Sequence, residues 1–87
     1  MSTLAGKIST LVMMASVEVD VHKLKKLRRR NVLSMRELED ISGVSYNTIW
    51  RLETGRTTQA RPRSIRALAR ALGVEPHELL KEGGRDA

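Results

Sequence analysis

The chain of 87 residues has no cysteine, no phenylalanine, one tyrosine and one tryptophan. Without cysteine it can form neither a disulfide framework nor a thiolate metal site. A chain of this length makes one small domain whose core only just offsets the entropy of ordering the chain. We therefore do not expect a large buried enzyme cleft.

Long apolar runs are also missing. The longest is LVMMA, residues 11–15, whereas a membrane-spanning helix needs about 20 apolar residues. Polar residues interrupt this region and acidic residues follow it closely, which argues against an export signal. We expect a cytoplasmic protein without a membrane partner.

Positive charge is what the chain has in excess. Sixteen Lys and Arg residues against ten Asp and Glu give a net charge of +6 and a pI near 10.5. Such a surface attracts polyanions, of which nucleic acid is the commonest. The alternative is a basic domain that binds no nucleic acid.

The first 20 residues carry an ambiguous pattern. Odd positions from Leu11 to Val21 are apolar, and polar residues alternate with the later ones. This period of two predicts a half-buried β-strand, although a helix also fits the region. A lone strand needs a partner within or outside the chain, and dimerisation is one solution. We treat residues 1–19 as an N-terminal extension that contains a candidate dimerisation strand.

Residues 20–82 show helical periodicity, with residues that commonly start or stop helices between the segments. The start signals are Asp20, Ser34 with Glu37, Ser45, Ser64 and Pro76, and the stop signals are Gly43, Gly55 and Gly73. We predict an all-α fold of five short helices around one core, the first near residues 21–31. Residues 83–87 are predicted to form a flexible tail.

Catalysis has little support in the sequence. His22 and His77 are far apart, and the carboxylates of Glu37, Glu39 and Asp40 fit capping and solvation better than acid–base chemistry. No glycine-rich phosphate loop is present. We predict no enzymatic activity, no metal and no cofactor.

Both aromatic residues lie in SYNTIWRLETGR, residues 45–56. A helix turns by about 100° per residue, which puts Ile49 and Leu52 on its buried side. The residues on the outward side are Asn47, Trp50, Arg51 and Thr54, with Tyr46 on the flank. The rings can cover the edge of the core or contact sugars and thymine methyl groups.

Asn47 and Arg51 lie one turn apart on this outward side. Asn matches adenine and Arg matches guanine through pairs of hydrogen bonds. Exposed residues of these types are often merely solvated. A short turn at Gly43 between two helices favours a reading role, because such a turn presents the second helix to whatever lies outside.

A second basic region follows this helix. Arg56, Arg61 and Arg63 lie around Pro62 in a loop that is well placed to meet DNA phosphates. Arg63 has an alternative role in a narrow minor groove.

Three segments, LRRRNVLSMREL, SGVSYNTIWRLETGR and IRALARALGVEPHELL, resemble the phage-repressor-like (Cro/XRE) helix-turn-helix domains. The resemblance covers residues 20–82 and implies a five-helix, repressor-like DNA-binding domain. The chain departs from that family at Glu39, where a small residue is usual. It also departs in RTTQARPR, a longer loop than in compact members.

The resemblance implies roles for individual residues. The implied base-contacting residues are Ser45, Tyr46, Asn47, Trp50 and Arg51, on a recognition helix over residues 46–54. Together with the basic loop, it gives a backbone-contacting set of Arg36, Thr54, Arg56, Arg61 and Arg63. Arg28 and Glu53 are implied to form a partly buried ion pair between the first helix and the recognition helix.

The leading hypothesis is a sequence-specific DNA-binding transcriptional regulator. It would be a repressor that binds a pseudo-palindromic operator in double-stranded DNA as a homodimer. Residues 4–19, the Leu79 and Leu80 end, or both are expected to mediate the dimer. The alternative is an antitoxin-type interaction module, in which residues 1–20 fold on a partner protein and the helical domain autoregulates its operon.

Overall fold

The structure, a computed structural model, describes residues 16–81. Its elements in chain order are β1 (Val17–Glu18), α1 (Val21–Arg30), α2 (Met35–Ser42), α3 (Tyr46–Glu53), β2 (Gln59–Ala60), α4 (Pro62–Leu72) and a 3-10 helix (Pro76–Leu79). The described part is therefore mostly helical, with four α-helices and a two-stranded sheet. No helix in it is long and apolar enough to cross a membrane.

The first three helices begin where side-chain caps were predicted. Asp20 accepts a backbone N–H of α1 at 3.1 Å. Ser34 and Glu37 form a reciprocal capping box at the start of α2, with distances of 3.0 and 2.8 Å. Ser45 accepts a backbone N–H of α3 at 3.2 Å. These caps satisfy donors that the first turn of a helix leaves without partners, and all three predictions are confirmed.

Left-handed glycines end two of the helices as predicted. Gly43 follows α2 with φ 81°, and Gly73 follows α4 with φ 74°. The predicted recognition helix 46–54 ends one residue earlier, at Glu53, because Thr54 is its C-cap residue and Gly55 turns the chain with φ 81°. Glycine adopts this conformation without the steric cost of a side chain.

Two predictions near the C-terminal end are wrong. Helix α4 begins at Pro62 instead of after Ser64, because proline has no N–H to leave unpaired and suits the first helical position. The predicted fifth helix is a short 3-10 helix. It ends because Leu80 is extended and forms an isolated β-bridge with Val19.

The predicted N-terminal strand has a partner within the chain. Strand β1 pairs antiparallel with β2, Val17 lying opposite Ala60. The Val19 N–H also donates to the Thr58 carbonyl at 2.7 Å. Within the predicted span 11–21, residues 11–15 lie outside the described residues, and Val21 already belongs to α1. Residues 17–19 are thus tied to the helical domain.

The core consists of apolar side chains from every helix and from both ends of the described segment. Its fully or nearly fully buried members are Val19, Leu24, Leu27, Leu38, Val44, Ile49, Leu52, Ala60, Ile65, Leu68, Ala69, Leu72 and Leu79. Leu79 has 0% exposure, so it is not available for the dimer contact predicted at this end. The predicted tail 83–87 lies outside the described residues.

Arg28 and Glu53 join the end of α1 to the end of α3. Arg28 Nε and Nη2 donate to the two carboxylate oxygens of Glu53 at 2.6 and 2.8 Å. Arg28 Nη1 donates to the Leu33 carbonyl at 2.6 Å. The two side chains are only 11% and 1% exposed. The hydrogen bond to Glu53 first, and then its negative charge, raises the pKa of Arg28, although desolvation lowers it.

Arg28→Ala should lower the free energy of unfolding by about 3–5 kcal/mol, because it leaves the Glu53 carboxylate buried without its partner. Urea unfolding followed by circular dichroism measures this loss. Arg29→Ala is the matched control, since Arg29 is the next residue on the same helix and is exposed. Equal unfolding midpoints for the two variants would contradict the prediction.

Candidate nucleic-acid interface

Helices α2 and α3 are separated by only three residues, 43–45. The left-handed Gly43 and the cap residue Ser45 make this turn tight. The core side of α3 is set by Ile49 and Leu52, which are both 0% exposed. The opposite side of α3 therefore faces away from the domain, as a helix that enters a DNA groove must.

The polar residues predicted to contact bases lie on this outward side or at its start. Asn47 and Arg51 are exposed, four residues apart on one face of α3. Ser45 is exposed but engaged, because its hydroxyl caps α3 and donates to Thr48 Oγ1 at 3.0 Å. Unlike Ser45, the exposed side chains of Asn47 and Arg51 are not used to cap α3. They therefore form the pair on this helix best suited to hydrogen-bond with base edges.

The two aromatic side chains are half-buried, which corrects the prediction that Trp50 points largely outward. Each ring carries an arginine over one face. The Arg36 guanidinium carbon lies 4.5 Å from the centre of the Tyr46 ring. The Arg56 guanidinium carbon lies 5.0 Å from the centre of the Trp50 ring. A helical wheel misses this arrangement because neither arginine belongs to α3.

The predicted backbone-contacting residues are all exposed. They are Arg36 on α2, Thr54 and Arg56 just after α3, Arg61 at the start of α4 and Arg63 in its first turn. The Thr54 hydroxyl donates to the Trp50 carbonyl at 2.7 Å, so it is partly used by the helix end. Arg36 and Arg56 lie over the aromatic rings of α3, and Arg61 lines a groove together with Arg51. Arginine pairs well with phosphate.

A polar groove of about 390 Å³ lies beside α3. Its lining residues are Ser16, Thr48, Arg51, Thr57, Gln59, Ala60, Arg61 and Ser64. The groove brings Arg51 together with Arg61, which is about ten positions later in the chain. It also contains Gln59, a residue type that can pair with adenine. A two-residue strand such as β2 carries too little sequence pattern to reveal this position.

Glu39 supports the start of α3 from across the turn. Its Oε2 accepts the Tyr46 N–H at 3.1 Å, and its Oε1 lies 3.9 Å from Arg36 Nη1. The carboxylate therefore satisfies a free donor at the start of α3 and sits near the positive end of its dipole. This contact explains how Glu replaces the small residue that the resemblance leads one to expect.

Acidic and basic side chains are used differently in the described part of the chain. The carboxylates of Asp20, Glu37 and Glu39 accept backbone N–H groups at helix starts, and Glu53 is held by Arg28. Among residues 16–81, the ion pairs involve only Arg28 and Arg36 as the basic partners. The exposed arginines other than Arg36 form no ion pair among these residues, so their charge is not neutralised by a carboxylate there.

Sequence and structure comparisons agree on the fold. The profile of a family described as a helix-turn-helix domain matches residues 21–81. A comparison with curated proteins gives no match. Among solved structures, the complex of the SinR protein with the SinI protein has a TM-score of 0.68 and 22% identity, covering 77% of this chain and 65% of that chain. At this identity the likeness supports the fold.

Two other similar structures belong to larger chains. PhpD with cadmium, complexed with hydroethylphosphonate, has a TM-score of 0.65 at 25% identity. A mutant hydroxyethylphosphonate dioxygenase has a TM-score of 0.66 at 25% identity. In both cases the match covers 82% of this chain and 15% of that chain. The likeness thus concerns a small part of a dioxygenase chain.

Glu39→Ala should lower the free energy of unfolding by about 1 kcal/mol, because the Tyr46 N–H loses its acceptor. Glu39→Gln should keep most of that stability, since an amide oxygen still accepts the bond. Asp40→Ala is the control, a neighbouring exposed carboxylate expected to change stability by less than about 0.5 kcal/mol. Denaturant unfolding measures the free energy of unfolding of the three variants. Equal decreases for Glu39→Ala and Asp40→Ala would refute the capping role of Glu39.

Proposed function

The chain belongs to the helix-turn-helix domain family, and we propose that it is a sequence-specific, DNA-binding transcriptional regulator of the phage-repressor-like (Cro/XRE) type. In this proposal it acts as a repressor, binding a pseudo-palindromic operator as a homodimer and blocking access by occlusion. It works in the cytoplasm on double-stranded DNA and needs no cofactor.

The observation that carries this proposal is the outward face of α3. Asn47 and Arg51 are exposed there with no structural task among the described residues. Their side chains have the donor and acceptor geometry that suits adenine and guanine in the major groove. If the outward face of α3 served only to keep the protein soluble, it would not require two residues that can hydrogen-bond to base edges, Asn47 and Arg51, one turn apart.

The arginines around α3 supply the second part of the mechanism. We assign contacts with the DNA backbone to Arg36, Thr54, Arg56, Arg61 and Arg63, because all are exposed. Arg36, Arg56 and Arg61 also lie next to residues of α3. Phosphate contacts set the register of the protein on the duplex and provide affinity that depends on salt. The base contacts of Asn47 and Arg51 then discriminate between sequences.

The antitoxin alternative requires residues 1–20 to be available to a partner protein. Strand β1 is instead paired with β2, and Val19 is 2% exposed in the core. Residues 17–19 therefore cannot fold on a partner without leaving their own domain. This observation favours the regulator. A partner protein could then contact only the surface of the domain and the residues before Val17.

The protein should occupy two half-sites whose centres lie about one helical turn apart, because a basic domain this small gains specific affinity by doubling its contacts. Selection of bound fragments from random DNA gives the sequence, the spacing and the symmetry of the site. Footprinting and mass measurement on the selected DNA then check the stoichiometry. A monomer that protects one half-site at saturation would contradict the homodimer.

Arg51→Ala should weaken binding to the selected operator much more than binding to random DNA, since a bidentate base contact discriminates by about 1–3 kcal/mol. Arg61→Ala should weaken both together and reduce the slope of log affinity against log salt by about 0.9. Competition binding at several salt concentrations, on variants verified as folded, separates these outcomes. Equal losses on both DNAs for Arg51→Ala would make Arg51 a phosphate contact.

A further inference from the structure

Two arginine–aromatic contacts flank α3, and the proposed base-reading role of its polar face does not use them. Tyr46 is the first residue of α3 and Trp50 lies one turn later on the same face. Arg36 reaches Tyr46 from α2, and Arg56 reaches Trp50 from the loop after α3. These rings are the only Tyr and the only Trp of the chain.

The loop after α3 is shaped to bring Arg56 back over Trp50. Gly55 has the left-handed φ of 81°, and its N–H donates to the Leu52 carbonyl at 3.2 Å. The Thr57 N–H donates to the Arg51 carbonyl at 3.1 Å. Backbone hydrogen bonds on both sides of Arg56 thus hold it against α3, so that the contact with Trp50 does not depend on a free loop.

A stacked guanidinium still binds phosphate. Stacking uses the flat face of the group, while its N–H donors point outward in the plane and can bind a phosphate in pairs. The Arg36 side chain remains 74% exposed although it lies over Tyr46. Arg56 is exposed as well. The rings therefore restrict these arginines without covering the atoms that bind phosphate, and in Arg36 one of these atoms, Nη1, also lies 3.9 Å from Glu39 Oε1.

We propose that Tyr46 and Trp50 are positioning residues that hold Arg36 and Arg56 as two preorganised phosphate-binding groups, one on α2 and one in the loop after α3. Asn47 and Arg51 lie on the neighbouring stripe of the helix and read the bases. Each half-buried ring has one face under a guanidinium. In this role the rings hold the arginines in place for contacts with the DNA backbone. This inference rests on the proposed DNA binding. It assigns part of the affinity for DNA to two arginine–aromatic pairs, Arg36 with Tyr46 and Arg56 with Trp50.

If each ring preorganises its arginine, changing the ring and changing the arginine should have non-additive effects on the affinity for DNA. Arg56→Lys keeps the charge but loses the planar fork, and it should weaken binding of the selected operator about two- to fivefold. Trp50→Leu should cause a similar loss, and adding Arg56→Lys to it should cause little further loss. The pair Tyr46→Leu and Arg36→Lys should behave in the same way. All affinities are measured by competition on folded protein.

Arg63→Lys is the matched control. Arg63 is exposed in the first turn of α4, and the arginine–aromatic contacts found within residues 16–81 do not include it. It should weaken binding by the same factor with or without Trp50. If Arg56→Lys is also independent of Trp50, the inference is overturned while DNA binding stands. If the wild-type protein selects no DNA sequence, the proposed function fails first.

A measurement without DNA tests the contact in the unchanged protein. Side-chain protons of Arg56 should show an upfield ring-current shift in NMR spectra, and those of Arg63 should not. The single tryptophan makes the assignment of the ring direct. Absence of the shift at Arg56 would overturn the proposal even if Trp50→Leu failed to fold.

Discussion

The ion pair between Arg28 and Glu53 is the constraint on which the position of α3 and its outward face depends. It fixes the last residue of α3 to the end of α1, and the same guanidinium holds the Leu33 carbonyl at 2.6 Å. The Leu33 N–H donates in turn to the Arg28 carbonyl at 3.1 Å. Arg28 thus holds the turn that leads into α2, where Val32 has a left-handed φ of 55°. A β-branched residue in that conformation costs about 1–3 kcal/mol, which these contacts help to offset.

Short-range chemistry made much of this fold predictable from the sequence. Ser34 with Glu37, Ser45 and Gly43 act on backbone groups within a few residues, so their spacing identifies the helix ends. The start of α4 could not be predicted, because Pro62 and Ser64 are both valid start signals and only the surrounding fold selects one. The pairing of β1 with β2 joins residues about 40 positions apart, and two-residue strands carry too little pattern to reveal it.

The candidate interface also combines features that could be predicted from the sequence with features that could not. Exposure of Asn47 and Arg51 follows from helix periodicity, since Ile49 and Leu52 determine the buried side. The half-buried state of Trp50 does not, because it depends on a loop that returns through Gly55. The capping of Tyr46 by Glu39 also crosses a turn. Features within one helix could be predicted from periodicity, whereas these two contacts between elements needed the three-dimensional arrangement. The Arg28–Glu53 pair also joins two elements, and it was expected only from the family resemblance.

The fold by itself does not decide what α3 binds. A similar arrangement occurs in the SinR protein and in a small part of a dioxygenase chain, and one fold can carry unrelated functions. What α3 binds therefore depends on its side chains. A helix that served only to pack a neighbouring domain would present apolar residues outward, because burying unpaired Asn and Arg groups is costly. Helix α3 presents Asn47 and Arg51 between positively charged flanks, and that combination suits a charged, hydrogen-bonding ligand such as the DNA groove.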